Sequence, residues 1–264
     1  MILDEIIEKR KIRLEAAKKA LPIHAIRREA EKRRGTQRGF IDALKRDGLS
    51  VIAEVKKASP SKGLIREDGF DPERIALEYE RSGADAVSVL TEEDFFQGSG
   101  EYLTRIKKAT AIPVLRKDFI FDPWQVYESA CLGADAVLLI AAALTAKELE
   151  ELRLLAKSLG MDALVEAHDP FEMEKALDSG AQIVGINNRD LRTFEVRLDT
   201  TQRLIRMVPP GIATVSESGI HTAADIEYIA SLGVDAALIG ESLMRAGSVY
   251  EKMKEFKGGG CGKG

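Results

Sequence analysis

Short apolar segments alternate with longer amphipathic segments along most of the chain. Eight of the short segments are rich in Val, Ile, Leu and Ala, and their apolar residues are consecutive rather than interleaved with polar ones. Consecutive apolar residues are typical of parallel strands that are buried on both faces of a sheet. The predicted strands are residues 51–55, 86–90, 112–115, 136–140, 163–165, 183–186, 213–215 and 236–239.

The segments between these strands have the pattern of crossover helices. Clear examples are residues 72–79, 145–157 and 223–230, of which the second begins with a capping-box sequence. A glycine also precedes a strand at four places that are 50, 47 and 53 residues apart, namely Gly83, Gly133, Gly180 and Gly233. Each glycine follows, by 11 or 12 residues, a helix-start signal at Asp71-Pro72, Asp122-Pro123, Asp169-Pro170 or Thr222.

A strand–helix unit that occurs eight times predicts an α/β fold, the (β/α)8 TIM barrel. An open, doubly wound sheet is the alternative, and it fits less well because no G-x-G-x-x-G sequence follows the first strand. Residues 1–48 lie outside the repeat and predict an N-terminal helical extension that caps the barrel of residues 49–256. Residues 257–264 are rich in glycine and predict a disordered tail.

The composition excludes several classes of protein. Of the 264 residues, 45% are hydrophobic and 31% are charged, as in a globular protein with a sizeable core. No apolar segment approaches the roughly 18 to 20 residues of a membrane helix, and the first residues lack a signal-peptide pattern. We therefore expect a cytoplasmic protein with no membrane partner. Its two cysteines, Cys131 and Cys261, have neither metal-ligand nor disulfide-framework spacing, so no metal site is predicted.

The net charge of −4 is unevenly distributed along the chain. Residues 1–48 contain 14 Lys and Arg against 8 Asp and Glu, a contrast that invites a nucleic-acid interpretation. Glutamates stand among these basic residues at helical spacing, which is typical of solvated helix faces. We therefore expect no nucleic-acid partner.

Charged and polar residues follow several of the predicted strands. The active site of a barrel lies at the carboxyl ends of its strands, so these side chains are expected to converge there. A single lysine or glutamate at such a place is more often an ion pair or a solvated strand end. Several together form a mixed-charge cavity suited to acid–base chemistry. The candidates are Glu54, Lys56, Lys117, Glu166, Asn187 and Arg189.

Small residues follow the last two strands, where glycine allows backbone N–H groups to approach an anion. Ser218, Gly219, Gly240, Glu241 and Ser242 therefore predict a phosphate site. The connection after the first strand, residues 57–71, is longer than usual and is a candidate lid beside the substrate.

With these residues in view, the chain resembles the indole-3-glycerol phosphate synthase family over about residues 2–255. The similar segments are 51–63 (VIAEVKKASPSKG), 113–119 (PVLRKDF), 164–168 (LVEAH), 185–191 (GINNRDL) and 216–220 (SESGI). The resemblance implies a lyase of tryptophan biosynthesis that needs no cofactor. Its substrate would be the small phosphorylated molecule 1-(2-carboxyphenylamino)-1-deoxyribulose 5-phosphate, which closes to indole-3-glycerol phosphate with loss of carbon dioxide and water.

The resemblance also implies a role for each candidate. Lys117 would be the general acid, Glu166 the general base, and Lys56 would meet the anthranilate carboxylate or act as the acid of the dehydration step. Glu54 would orient the lysines. Asn187 and Arg189 would position substrate and lysines. Phosphate and hydroxyl groups would contact Ser59, Ser218, Gly219, Gly240, Ser242 and the backbone of Glu241. The aromatic ring would lie against Phe96, Phe119, Leu138 and Leu191.

Three other hypotheses stay open at this point. An isomerase acting on phosphoribosyl anthranilate would need a Cys–Asp pair, and no predicted strand ends in cysteine. A non-catalytic barrel that binds a sugar phosphate would keep the phosphate site without needing Lys117 or Glu166. An engineered barrel with a reactive lysine would account for the unusual tail. We expect a monomer.

Overall fold

The computed structural model describes residues 2–46, 48–65, 69–190 and 193–258. Eight parallel strands close into a barrel, in which each strand pairs with the next along the chain and the last pairs with the first. The predicted (β/α)8 barrel is therefore confirmed, and the open sheet is wrong. The strands are β1 (Ser50–Val55), β2 (Ala86–Leu90), β3 (Val114–Lys117), β4 (Ala136–Ile140), β5 (Asp162–Ala167), β6 (Ile183–Asn187), β7 (Ala213–Glu217) and β8 (Ala236–Ile239).

Helices precede the barrel and connect its strands. Two short 3-10 helices, Ala141–Ala143 and Ile205–Met207, and a small hairpin of Ala58–Ser59 with Gly63–Leu64 complete the connections. The α-helices are α1 (Ile2–Ala20), α2 (Ile23–Glu31), α3 (Phe40–Leu44), α4 (Pro72–Arg81), α5 (Gly100–Ala109), α6 (Pro123–Leu132), α7 (Ala146–Ser158), α8 (Pro170–Asp178), α9 (Asp199–Leu204), α10 (Ala223–Ser231), α11 (Glu241–Met244) and α12 (Val249–Gly258).

The predicted helix-start signals act as caps. The side chains of Asp71, Asp122 and Asp169 accept hydrogen bonds from backbone N–H groups in the first turns of α4, α6 and α8. Thr145 forms the predicted capping box with Glu148 at the start of α7. These contacts satisfy N–H groups that have no partner within the helix, so they define where each helix begins.

The repeated sequence also has a structural role at the amino ends of the strands. Asp85 accepts a hydrogen bond from the N–H of Val51 at 2.9 Å, and Asp135 accepts one from Val114 at 2.8 Å. Asp235 does the same for the N–H of Thr214 at 2.8 Å. Each aspartate therefore joins the start of its own strand to the preceding strand.

The strands differ from their predicted bounds mainly at the carboxyl ends. β3 was predicted at residues 112–115 but lies two residues later, because Pro113 has no N–H for the ladder and the charged pair after Leu115 continues the strand. β5, β6 and β7 likewise extend through Glu166, Asn187 and Glu217. Barrel packing places these polar residues on rigid strands rather than in loops.

The N-terminal extension is helical, as predicted, and its parts contact opposite ends of the barrel. Phe40 and Leu44 of α3 are fully buried among the interior side chains at the amino ends of the strands. At the other end, Arg10 of α1 forms a buried ion pair with Asp118, directly after β3.

The last helix, α12, ends at Gly258, two residues into the segment predicted as a tail, and residues 259–264 lie outside the described residues. Across the described residues, no helix combines the length and apolarity needed to span a membrane.

Candidate active site

A cavity opens at the carboxyl ends of the strands, and most of the predicted site residues line it. Fourteen of the sixteen are brought together there: Glu54, Lys56, Ser59, Phe96, Lys117, Phe119, Leu138, Glu166, Asn187, Arg189, Ser218, Gly219, Gly240 and Glu241. Ser242 is not among the lining residues, because its hydroxyl donates to the carbonyl oxygen of Ile220 at 3.0 Å. Leu191 falls outside the described residues.

Strand alternation explains why these side chains meet. Ile52, Leu115 and Leu164 belong to the apolar interior of the barrel. Glu54, Lys117 and Glu166 lie two residues further along the same strands, so they share the same face and form the next layer toward the opening. The apolar layers exclude water from below, and the charged layer forms the floor of the cavity.

Lys117 is the centre of this charged layer. Its Nζ lies 2.5 Å from Oε2 of Glu217, 3.7 Å from Oε2 of Glu166 and 3.8 Å from Oε2 of Glu54. Burial would lower the pKa of Lys117, but the three carboxylates outweigh it and hold the pKa above its ordinary value. The lysine therefore carries its proton at neutral pH.

Glu54 also pairs with Lys56, another lysine of the cavity. Nζ of Lys56 lies 2.5 Å from Oε1 of Glu54, so this one carboxylate faces both lysines. Burial would raise the pKa of Glu54, but the charges of Lys56 and Lys117 outweigh burial and hold the pKa below its ordinary value. An added side chain at Gly240 would meet Oε1 of Glu54 at 2.5 Å, so the glycine leaves the space that this carboxylate occupies.

Glu217 is a functional candidate that the sequence reasoning missed. Its carboxylate is fully buried beside Lys117, and the small Gly185 makes room for it, since a Cβ there would lie 2.2 Å from Oε1. The signal was present in the strand pattern, because Glu217 follows the interior residue Val215 by two positions. Ser218 and Gly219, which follow Glu217 directly, are predicted instead as part of a phosphate site.

The pKa of Glu217 predicts a pH dependence of stability. Burial raises this pKa to about 7 against the lowering effect of Lys117, and Glu166 adds to the rise. The pKa of a glutamate in the unfolded chain is about 4.3. Between these values the folded protein holds a proton that the unfolded chain has released. This contribution to stability is therefore present below about pH 4.3 and is lost as the pH rises through 7.

We expect Glu217→Gln to remove this dependence. Urea unfolding at pH 4.5, 5.5 and 7 would show a smaller fall in the free energy of unfolding with rising pH than in the native protein. Glu151→Gln, on the exposed face of α7, provides the control because it leaves the buried cluster unchanged. Equal pH dependence in the native protein and Glu217→Gln would contradict the assignment.

A hydrogen-bonded pair lies on the far side of Lys117. Nδ2 of Asn187 donates to Oε1 of Glu166 at 3.1 Å, and Oδ1 of Asn187 accepts from the N–H of Arg189 at 3.0 Å. These contacts hold Glu166 on one side while its other oxygen faces Lys117. A carboxylate and an ammonium group thus meet at the same cavity wall and can serve successive proton transfers.

An apolar wall completes one side of the cavity. The rings of Phe96 and Phe119 lie 6.0 Å apart between centroids and are tilted by 40°. Leu3 and Ile6 of α1 line the same cavity, which the sequence analysis did not anticipate. The N-terminal extension therefore contributes directly to the surface against which a flat ring could pack.

The small residues after β7 and β8 form the opposite, polar side. Ser218 and Gly219 have φ values of 69° and 81°, and Gly240 precedes the short helix α11. The carboxylate of Glu241 lies 3.4 Å from Nζ of Lys62 and 3.3 Å from Nε of Arg245. Its charge is therefore compensated by two cations beside the predicted phosphate site.

Among the described residues, one group of side chains is close enough to hold a metal ion. It consists of His168, Asp169 and Glu172, and it is not part of the cavity wall. Glu172 accepts hydrogen bonds from both the N–H and the ring of His168, and its own N–H donates to Asp169. These contacts belong to the start of α8, so the geometry gives the group a capping role.

Comparison with known proteins gives a consistent result. A family model described as indole-3-glycerol phosphate synthase matches residues 3–256. A protein of that name from Acetivibrio thermocellus is 52% identical over 260 residues, with 97% of this chain and 99% of the relative covered. Another from Alkaliphilus metalliredigens is 48% identical over 261 residues, with 99% and 100% covered.

Solved structures with low sequence identity share the fold. KGPDC from Streptococcus mutans has a TM-score of 0.62 at 14% identity, with 81% of this chain and 97% of that chain covered. The 3-hexulose-6-phosphate synthase of Salmonella typhimurium has a TM-score of 0.62 at 15% identity, with 80% and 98% covered. These similarities support the barrel, whereas the sequence relatives and the family model settle membership: the chain belongs to the indole-3-glycerol phosphate synthase family.

Proposed function

We propose that this chain closes the indole ring of 1-(2-carboxyphenylamino)-1-deoxyribulose 5-phosphate, with loss of carbon dioxide and water. The observation that carries the proposal is the position of Lys117. This protonated lysine lies among three carboxylates on the cavity floor, between an apolar wall and a polar turn. Membership of the family supports the same reaction.

The two sides of the cavity fit the two ends of the substrate. The anthranilate ring would pack against Phe96 and Phe119, and Lys56 would pair with its carboxylate. The phosphate would bind at Ser218, Gly219 and the backbone before α11. Holding both ends places the ribulose carbonyl over the charged layer, which brings the reacting carbons together before the chemical step.

Ring closure begins with a new carbon–carbon bond. The ring carbon that bears the carboxylate attacks the ribulose carbonyl carbon, and the electron pair of the C=O bond moves to oxygen. Lys117 donates a proton to this oxygen, and its contact with Glu217 holds Nζ in place. Cleavage of the bond to the carboxylate then releases carbon dioxide and returns its electron pair to the ring.

Dehydration completes the reaction. Glu166 accepts a proton from the intermediate, the new carbon–carbon double bond forms, and the hydroxyl group leaves as water after protonation by a lysine. Both Lys56 and Lys117 carry a proton donor within the same charged layer, joined through Glu54. Glu166 can return its proton to a lysine, and water supplies the one further proton that replaces carbon dioxide, so both lysines are restored for the next turnover.

A fluorescence time course tests the reaction. The native protein is mixed with the carboxyphenylamino-deoxyribulose phosphate, and the expected result is a growing indole emission with release of one carbon dioxide per turnover. Binding of the substrate without emission would contradict the proposed reaction and leave a phosphate-binding barrel.

Glu166→Gln tests whether Glu166 acts as the base or contributes only to substrate binding. The glutamine keeps the size of the side chain and can still contact Asn187, but it cannot accept the proton. We expect kcat to fall about 100-fold with little change in KM. Glu172→Gln is the matched control, because it changes a buried glutamate outside the cavity and should leave both constants near native values. A raised KM at unchanged kcat would exclude Glu166 as the base.

The proposal also concerns the partner, the location, the oligomeric state and the domain division of the enzyme. A small phosphorylated substrate is the partner that the family supports. The cytoplasmic location, the monomeric state and the division of the chain at residues 48 and 49 stay predictions.

A further inference from the structure

Asn188 is a buried polar residue that does not line the cavity, although it follows Asn187 directly. It is 2% exposed, and its Nδ2 lies 3.0 Å from the carbonyl oxygen of Glu217 and 3.1 Å from that of Ser218. Nδ2 also lies 3.0 Å from the hydroxyl oxygen of Ser216. One amide group therefore contacts three consecutive residues at the end of β7.

The other side of the same amide is equally engaged. Oδ1 of Asn188 accepts hydrogen bonds from the N–H of Thr201 at 3.1 Å and from its hydroxyl at 2.8 Å. Thr201 is fully buried at the start of α9. These donors determine which end of the amide faces β7, because the oxygen must face Thr201 and the nitrogen must face the carbonyl groups. The side chain thus has a single satisfied orientation.

The turn that Asn188 holds has an uncommon backbone conformation. Ser218 has a φ of 69°, a left-handed value that costs free energy for a residue with a side chain, and Gly219 follows at 81°. A Cβ at Gly219 would lie 2.5 Å from Cγ1 of Val196, so only glycine fits there. Such a conformation persists only where the surrounding contacts require it, and the hydrogen bonds from Asn188 supply two of those contacts.

Holding the carbonyl groups also orients the N–H groups of the turn. In a trans peptide the C=O and N–H bonds point in opposite directions. Because the carbonyls of Glu217 and Ser218 face Asn188, the N–H groups of Ser218 and Gly219 point away from it. Both residues line the cavity, and within the described part of the chain neither N–H has a hydrogen-bond acceptor. Consecutive free N–H groups of this kind form a concave anion site.

We propose that Asn188 is a positioning residue for the phosphate end of the substrate. It acts through the backbone of Glu217 and Ser218, whose anchored carbonyls turn two N–H groups toward the cavity. The proposal rests on the proposed function, since it assigns the phosphate to this side of the site. Phosphate binds in both the ground state and the transition state, so loss of the anchor should raise KM far more than it lowers kcat.

Two variants and one matched control test this role. Asn188→Ala removes all contacts of the amide, whereas Asn188→Asp keeps its shape but places a carboxylate oxygen against two carbonyl oxygens. Thr201→Val is the control, because it removes a hydroxyl from the same buried network while the N–H of Thr201 still holds Oδ1 of Asn188. For each protein we would measure Tm, kcat, KM, and the inhibition constants of inorganic phosphate and of anthranilate.

In Asn188→Ala we expect KM and the inhibition constant of inorganic phosphate to rise about tenfold or more, with kcat within about threefold of native and anthranilate inhibition unchanged. Thr201→Val should lower Tm but leave phosphate inhibition at its native value. If Asn188→Asp does not fold, the alanine variant alone supplies these comparisons, and far-UV circular dichroism verifies its fold.

Two outcomes would overturn the proposal. Unchanged phosphate inhibition in Asn188→Ala would show that the turn keeps its shape without the amide. An equal rise in the inhibition constant of phosphate in Thr201→Val would show a general loss of structure. An equal rise in the inhibition constant of anthranilate in Asn188→Ala would show the same. Failure of the proposed function has a different signature, because the native protein would then bind inorganic phosphate without turning over the substrate.

Discussion

Lys117→Ala will lower kcat about 1,000-fold or more while the protein keeps its barrel fold. The variant loses both the proposed proton donor and the positive charge that we propose faces the developing oxygen anion, and each of these effects is worth about 100-fold or more in comparable sites. The measurement is the indole fluorescence time course at saturating substrate, with the fold verified by circular dichroism. Residual activity within tenfold of native would exclude Lys117 as the general acid.

The same variant has an expected effect on stability. Without Lys117, the buried Glu54 keeps its ion pair with Lys56, whereas Glu166 and Glu217 lose the one cation that pairs with them among the described residues. Like charges in a buried cluster favour protonation. We therefore expect Tm to fall at pH 7 and to recover toward the native value near pH 5, where the carboxyl groups take up protons more readily.

Lys175→Ala is the matched control for this experiment. Nζ of Lys175 donates to the carbonyl oxygens of Ala141 and Leu144 at 2.5 and 2.9 Å, outside the charged layer. Its removal should lower stability through lost hydrogen bonds and leave kcat near the native value. A loss of kcat comparable to that of Lys117→Ala would show that the assay reports general destabilisation.

Asp118→Ala will lower the free energy of unfolding by about 3–5 kcal/mol, the usual cost of removing one partner from a buried ion pair. Oδ2 of Asp118 lies 2.9 Å from Nη2 of both Arg10 and Arg116, and it accepts a hydrogen bond from Thr91 at 2.6 Å. The variant leaves two buried guanidinium groups close together. Glu128 then remains as the counter-charge of Arg116. Urea denaturation at pH 7 measures the loss.

Asp94→Ala provides the comparison, since it also joins α1 to the rim of the barrel. Its carboxylate pairs with Arg13 at 2.6 Å, but both side chains are partly exposed, at 29% and 43%. Exposed pairs contribute at most ~1 kcal/mol because water screens the charges. An equal fall in the free energy of unfolding for Asp118→Ala and Asp94→Ala would show that burial does not determine the strength of these ion pairs.

The sequence was informative about the fold because local physical rules and the tertiary structure agree there. Asp71, Asp122 and Asp169 cap helices in the structure, as aspartate commonly does at the start of a helix. The apolar runs match strands that are buried on both sides. The prediction failed by two residues at β3, where the charged Arg116 and Lys117 continue a strand that local polarity would end. In the folded barrel Arg116 and Lys117 form ion pairs with buried carboxylates, which offset the cost of burying their charges.

The sequence was sufficient to predict which residues of the candidate site gather at the rim of the barrel. Strand alternation and the barrel topology were sufficient to place Glu54, Lys117 and Glu166 together. The partners of each group were not predictable, since Lys117 and Glu217 are 100 residues apart and Arg10 and Asp118 are 108 apart. The role of Asn188 was also missed, because a buried amide and an exposed one look alike in sequence.

The sequence by itself therefore determined the repeat of strands and helices, the helix caps and the set of charged residues at the strand ends. These features depend on neighbours within a few positions, and periodicity and side-chain chemistry express them directly. Only the tertiary structure decided which carboxylate pairs with Lys117, that α1 forms part of the cavity wall, and how the turn at Ser218 is held. Such contacts join distant segments, and closure of the barrel brings them within hydrogen-bonding distance.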